Sequence, residues 1–293
     1  MIHKHLQPSS PFRLVFIVQL IILIINTSCN EKKASFENPP GYDLSKPYQY
    51  KLPTILDEIS GIIFYPKDSS LFAIQDEKGF LFKIHLKNPL EIEKWKFSTS
   101  GDYEDLALLD SNFYVLKSKG VIEKLQFSAG DSLSLQSYKM PEDGKNEFET
   151  IFYDSSLHRL IVICKNCEDD TKKEVSSWAF DPSTDSFSPS FNISTLKIKE
   201  QLKDERFKFR PSAGAIHPIT GELYILSSIG KALVIFNKDH SVKNSYRIDP
   251  KLFKQPEGMT FTPKGDLIIS NEAANSGAAD ILIFKYHKSN NEQ

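Results

Sequence analysis

The sequence predicts an all-β chain folded as one ring of similar antiparallel sheets, a β-propeller. Three observations lead there. A short phrase recurs five times, beginning Ser60-Gly61-Ile62-Ile63-Phe64, Glu104-Asp105-Leu106-Ala107-Leu108, Glu149-Thr150-Ile151-Phe152-Tyr153, Ala213-Gly214-Ala215-Ile216-His217 and Glu257-Gly258-Met259-Thr260-Phe261, at steps of 44, 45, 64 and 44 residues. Between the phrases, short apolar runs alternate with turn-forming residues, and a period of about 40–50 residues holding several strands is the mark of propeller blades. The composition, with 21 Phe and 11 Tyr against 3 Met, favours strands over helices.

The chain begins with an export signal. Lys4 and Arg13 precede a mostly apolar run over residues 14–25, too short to span a bilayer comfortably and suited to the core of a secretory signal peptide. Thr27 and Ser28 then lead into Cys29, an arrangement that resembles a bacterial lipobox, apart from Asn26 where an aliphatic residue is usual. Residues 1–28 are thus expected to be removed and Cys29 lipidated. Uncleaved anchoring and plain secretion are the alternatives. Residues 29–46, polar and Pro-containing, read as a tether, which places the domain at a membrane surface in the cell envelope, facing the periplasm or the outside.

The propeller is expected over residues 47–287, with a tail at 288–293. In the first repeat, Ile59–Phe64, Leu71–Gln75, Phe80–Leu86 and Glu91–Phe97 form four runs separated by turns at Pro66–Ser70, Asp76–Gly79 and Lys87–Pro89. The second repeat copies this with Leu106–Leu109, Phe113–Lys117, Val121–Phe127 and Ser132–Tyr138. The fourth does so with Ala213–His217, Glu222–Leu226, Ala232–Phe236 and Val242–Ile248. The fifth offers only Gly258–Thr262, Asp266–Ser270 and Asp280–Tyr286 before the chain ends. A blade lacking its outer strand leaves an open edge, and Tyr48–Leu52 is available to close it. The longer step before the fourth repeat holds Ser194–Glu205, read as a short polar helix capped by Ser194. A partial sixth blade is the competing reading.

Equivalent positions in a ring point at one axis, so Glu104, Glu149 and Glu257 should converge there. Side-chain alternation puts Glu257 with Met259 and Phe261 on one face of its strand, Met259 and Phe261 packing between blades. Buried ionised carboxylates cost several kcal/mol unless compensated, and crowding forces some to hold a proton. Two compensations are open. Neighbouring backbone N–H groups would make each glutamate a tie between blades, whereas a hard cation such as Ca²⁺ would make the three a metal site. Ser60, Asp76, Glu77, Asn271 and Glu272 could line the channel mouth beside them, or the loop acids among them could simply be solvated.

Other chemistry is sparse. The net charge is −2, and −4 once Lys4 and Arg13 leave with residues 1–28, which excludes a basic footprint for nucleic acid. Cys164 and Cys167 can form a tight disulfide or stay as free thiols; a redox role would need a thioredoxin-like βαβ context. No histidine pair in residues 29–293 has zinc-ligand spacing. Neither a Gly-x-Ser-x-Gly elbow nor a phosphate-binding loop occurs; the nearest stretch, Ser227–Lys231, has Ile225 where the first glycine belongs and Ala232 where the hydroxyl belongs.

The motifs Glu58-Ile-Ser-Gly61, Asp102-Tyr-Glu-Asp-Leu106, Asn146-Glu-Phe-Glu-Thr150, Pro211-Ser-Ala-Gly214 and Gln255-Pro-Glu-Gly258 resemble the SdiA-regulated family, the YjiK-like propellers, over about residues 48–287. Its members tend to carry Ser, Glu, Glu, Ser, Glu at the first position of successive copies. Ser60, Glu104, Glu149 and Glu257 follow that order and Ala213 departs from it. The family is similar in fold to calcium-dependent phytases and includes proteins tied to calcium homeostasis, which implies Ca²⁺ as the candidate ion. The expected function is therefore that of a tethered, monomeric binding protein for a small ligand, ion or envelope protein. A phytase-like phosphoesterase, drawing on Lys78, Lys119 and Lys165, and an envelope scaffold are the alternatives.

Overall fold

A computed structural model describes residues 36–128, 132–141, 144–168, 170–273 and 277–288. The expected signal peptide, Cys29 and the last residues of the tail lie outside the described residues.

Five four-stranded antiparallel sheets form the blades. The first contains β2 (Ile59–Tyr65), β3 (Ser70–Gln75), β4 (Lys78–His85) and β5 (Glu91–Ser100). The second contains β6 (Tyr103–Leu109), β7 (Asn112–Lys117), β8 (Val121–Phe127) and β9 (Leu133–Lys139). The third contains β10 (Glu147–Asp154), β11 (Arg159–Asn166), β12 (Glu174–Asp181) and β13 (Ser186–Ser194). The fourth contains β14 (Pro211–Ile216), β15 (Leu223–Ser227), β16 (Ala232–Phe236) and β17 (Val242–Arg247). The fifth joins β18 (Pro256–Phe261), β19 (Leu267–Asn271) and β20 (Asp280–Phe284) to β1 (Tyr48–Lys51) from the other end of the chain. Tyr48 pairs with Ile283 and Lys51 with Asp280, so the ring is closed by the N-terminal strand, as the missing outer strand required.

The long step before the fourth blade holds one helix, α1 (Thr195–Leu202), and the described residues contain no sixth sheet. Ser194 precedes the helix in extended conformation but makes no side-chain cap. The helix is held by Ile198, which is fully buried in the core that joins blades two, three and four, and it ends on Lys203 in left-handed conformation.

The core is a series of slabs between neighbouring blades. Phe72, Ile74, Leu81, Phe113, Val115 and Leu125 fill the space between blades one and two. Met259 and Phe261 pack against Ala213, Ala215 and Tyr224 of blade four, the inter-blade role their alternation predicts. Part of the expected tether belongs to the fold. Tyr42 and Leu44 are buried in that same slab, and the Tyr42 hydroxyl donates to the Gly265 carbonyl at 2.6 Å.

The inner strands β2, β6, β10, β14 and β18 all begin at one face of the ring, and the turns to their partners lie at the other. Each inner strand carries a one-residue bulge near its start, between Ile59 and Ile62, Tyr103 and Asp105, Phe148 and Thr150, Pro211 and Ala213, and Pro256 and Gly258. Register places Ser60, Glu104, Glu149, Ser212 and Glu257 in these bulges.

Candidate functional site at the acidic mouth of the channel

The bulges decide which residues are equivalent. A bulge leaves one residue out of the ladder and re-aims its side chain. The three glutamates singled out by the repeat are bulged residues, but the fourth-blade counterpart is Ser212, not Ala213. Opening the fourth copy at Ala213 shifted that blade by one residue; matching Pro211 with Pro256 places it correctly. The order is then Ser60, Glu104, Glu149, Ser212, Glu257, with no departure from the pattern Ser, Glu, Glu, Ser, Glu. The bulge also interrupts alternation at Pro256–Gly258, so the direction of Glu257 does not follow from those of Met259 and Phe261.

The two serines confirm the equivalence. Ser60 Oγ donates to the Tyr103 carbonyl at 2.8 Å, and Ser212 Oγ donates to the Pro256 carbonyl at 2.9 Å. Each acceptor is the residue just before the bulged glutamate of the next blade. The serines therefore tie blades together, a role the sequence offered to the glutamates. Asp105 does the same from the position after a bulge: its carboxylate accepts the Leu106 N–H at 2.8 Å and the Ile151 N–H of the third blade at 2.9 Å. Burial pushes its carboxyl well above the usual carboxylate range, opposed by those two N–H groups. The repeat counted Asp105 only as part of a phrase; its acidity beside a buried strand was the available signal.

The glutamates do different work. Glu149 forms an ion pair with Lys165, at the end of β11. The same ammonium acts on Glu104 and Glu257, lowering both carboxyls against larger opposing effects. Lys165 is thus the electrostatic neighbour common to all three bulged glutamates. Glu104 is pushed up to about 8, first by burial and then by repulsion from Asp102 and Asp76. Glu257 is pushed up to about 7 by burial, although Ser228 Oγ donates to it at 3.1 Å and Lys165 and Lys231 favour its charge.

Asp76 and Glu272 belong to the same rim. Burial raises Asp76 to about 6, helped by Asp102, Glu58 and Glu77. Burial and a contact with the Glu58 carboxyl raise Glu272 to about 8, with Glu257 and Asp76 adding repulsion, and the Gln255 amide donates to the Glu272 carboxylate. Glu77 is exposed and takes part only as a neighbour of Asp76. Asn271 turns away from this group: it is buried and its amide donates to Asp280 at 2.8 Å and to the Leu252 carbonyl at 3.1 Å. Glu58, Asp102 and Lys231 were not read as site residues, because each lies in a loop or at a strand end, where charge is commonplace; Lys165 entered only as a phosphate-neutralising lysine of the phosphoesterase alternative, not as a partner of the glutamates.

At the opposite end, the channel widens into an apolar cavity of about 320 Å³, lined by Phe64, Leu106, Leu108, Ile151, Phe152, Met259 and Phe261 among others. No crowded acids line it. Cys164 and Cys167 are joined by a disulfide with Cα atoms 5.8 Å apart, which settles the choice against free thiols. They form, with Asp170, the only trio among the described residues whose metal-ligating atoms all lie within 4.8 Å of one another, and the disulfide withdraws both sulfurs from ligation. Glu104, Glu149 and Glu257 consequently form no closed cage. Their oxygen donors suit a hard cation, with Lys165 at present supplying the positive charge.

The profile of the SdiA-regulated family matches residues 39–275. No curated protein matches the chain at the sequence level. Among solved structures, glutaminyl cyclase from Myxococcus xanthus is similar with a TM-score of 0.54 and 12% identity, over 82% of this chain and 95% of that one. Regucalcin from Agrobacterium tumefaciens, described as a calcium-binding protein, gives 0.51 and 12% over 84% and 95%. A luciferin-regenerating enzyme gives 0.50 and 13% over 83% and 98%. At these identities the likeness establishes the propeller fold alone.

Proposed function

The chain belongs to the SdiA-regulated family of β-propellers, and from that premise we propose that it is an envelope-tethered binding protein whose acidic mouth takes up a hard divalent cation, Ca²⁺ foremost. One observation carries this reading. Asp76, Glu104, Glu257 and Glu272 sit half-buried at one mouth, and burial first, then neighbouring acids including Asp102, Glu58 and Asp76, raise their carboxyls. Such crowding costs stability, and a fold gains nothing from it unless something binds there. Ca²⁺ accepts carboxylates and waters in loose geometry, which suits donors spread over several blades. Regucalcin, a calcium-binding propeller of similar fold, lends support to the choice of ion.

Lipidation at Cys29 would anchor the protein. The Cys164–Cys167 disulfide supports a place outside the cytoplasm, where such bonds persist. The phosphoesterase alternative finds less support, because an acidic mouth repels phosphate unless several cations fill it first.

The test is calorimetric titration of Ca²⁺ at pH 7 in two buffers of different ionisation enthalpy. Binding should expel protons from the carboxyls raised to about 7 and 8, so the observed heat should differ between buffers. Glu104→Gln combined with Glu257→Gln should abolish both the binding and the buffer dependence. Retention of full affinity in that double variant would refute the site.

A further inference from the structure

The mouth that gathers Glu104, Glu149 and Glu257 already holds a positive charge of the protein's own. Lys165 forms the ion pair with Glu149, and its ammonium favours the charged forms of Glu104 and Glu257. One side chain thus supplies to all three bulged glutamates the charge that a bound cation would otherwise supply. A cation shared by them and this ammonium would repel each other at short range.

The backbone under Lys165 is held from several directions. Its neighbours Cys164 and Asn166 pair with Phe148 and Glu147 of β10, the strand that carries Glu149. The Cys164–Cys167 disulfide closes the chain just beyond it, and the Cys167 N–H donates to the Asp170 carboxylate at 3.3 Å. From the segment leading into β14, the Arg210 guanidinium donates to the Lys165 carbonyl. The main chain at 165 is therefore pinned at the mouth.

The side chain is not pinned in the same way. It is 30% exposed, against 10% for Glu149, and a lysine ammonium is a strongly hydrated charge on a flexible four-carbon stem. Turning about its own side-chain bonds exchanges the carboxylate for water without opening the core. Lys231 contrasts with it. That ammonium also acts on Glu257, but it donates to the Lys254 carbonyl at 2.7 Å and makes no ion pair among the described residues.

We propose that Lys165 is a tethered counter-ion that a cation entering the mouth must displace, and that this competition makes the site answer to divalent and not to monovalent cations. The proposal rests on the cation reading of the mouth. A tethered ammonium competes without giving up translational freedom, which a free ion must lose on binding. Na⁺ brings the same single charge without the tether, so its exchange for the ammonium gains nothing. Attraction to the carboxylates scales with charge, and Ca²⁺ doubles it while accepting several carboxylate oxygens at once. The expelled ammonium turns to water, and Glu149 changes from the partner of a lysine to a ligand of the ion.

The experiment follows lysine acylation and calcium affinity in the full-length protein. Limited treatment with N-hydroxysuccinimidyl acetate, read by peptide mass spectrometry, should modify Lys165 slowly in the metal-free protein relative to Lys238 and Lys264, which are exposed in turns at the other end of the channel. Ca²⁺ should speed the modification of Lys165 several-fold and leave the two reference lysines unchanged. Replacing tetramethylammonium chloride by NaCl at equal ionic strength should not. Protection of Lys165 that persists when the calcium titration is saturated overturns the proposal. This arm needs no variant, so it decides the question even where a substitution impairs folding. Lys165→Met keeps most of the stem and removes the charge. It should raise the Ca²⁺ affinity roughly tenfold, a middling value for charges that compete through shared carboxylates. It should also bind Ca²⁺ more weakly in NaCl than in tetramethylammonium chloride, a difference absent from the wild type. Lys165→Arg, which keeps the charge, should stay near the wild-type affinity. Equal affinities and equal salt responses in wild type and Lys165→Met overturn the proposal and leave the cation site standing. Calcium binding to neither protein overturns both.

Discussion

The two ends of the channel are built from the same five strands and obey opposite rules. At the turn end, the inner strands contribute Leu108, Ile151, Met259 and Phe261, whose burial stabilises the ring. At the start of those strands, one bulge per blade turns a polar residue out of the ladder, and three of the five are glutamates. There the carboxyls of Glu104 and Glu257 are pushed up by burial and by other acids. One end holds the ring together, and the other uses the rigidity so obtained to keep like charges close. Proteins tolerate such local cost where function requires it.

That contrast can be broken by substitution, beginning with the largest effect. Met259 is 2% exposed, and Met259→Ala should destabilise the fold by about 3 kcal/mol, read as a lower urea midpoint at constant slope. Asp105→Ala should cost a comparable amount, about 3 kcal/mol, because it strands the buried N–H groups of Leu106 and Ile151. Asp105→Asn keeps an acceptor and should lose less. If Asp105→Ala were neutral, the third blade would not depend on that tie. Ser60→Ala and Ser212→Ala each remove one inter-blade hydrogen bond and should cost about 1 kcal/mol apiece, measured by thermal unfolding. Their equality is the sharper point: a loss at Ser60 with none at Ser212 would undo the equivalence of the two bulges.

How far these roles could be read beforehand depended on the scale of the signal. Strand number and ring closure follow from spacing, since four apolar runs in the first, second and fourth repeats, and three in the last, leave Tyr48–Leu52 as the completing strand. Tyr42 and Leu44 were hidden inside a polar, Pro-rich stretch, and only their fit against Phe261 and Tyr224 made them core. The site was legible as a ring of residue positions but not as a set of partners. A bulge changes register without leaving a mark in composition, so Ala213 stood in for Ser212. Lys165 looked like any turn lysine, although its ammonium is what the three glutamates share. Pairings of this kind join residues from different blades, and no local pattern encodes them.

The smallest expected effect is the most telling, because its sign separates the two mouths. Glu104→Gln should leave stability unchanged at pH 5 and raise it at pH 8, by on the order of 1 kcal/mol once solvent screening is allowed for. The sign follows from the direction of the shifts. Carboxyls raised in the folded state to about 6 at Asp76, about 7 at Glu257 and about 8 at Glu104 and Glu272 favour folding while protonated. Their contribution is complete below the unfolded-state value, which is near 4, and is lost as the pH rises toward 8. The wild-type melting temperature should therefore fall between pH 5 and 8, and Ca²⁺ should restore part of it at pH 8 by replacing the departed protons. Glu104→Gln should show a shallower fall and a smaller calcium response, whereas Met259→Ala should lower the curve without changing its slope. Parallel curves for wild type and Glu104→Gln would mean that the carboxyl at 104 carries no strain, and the acidic mouth would then be as structural as the apolar one.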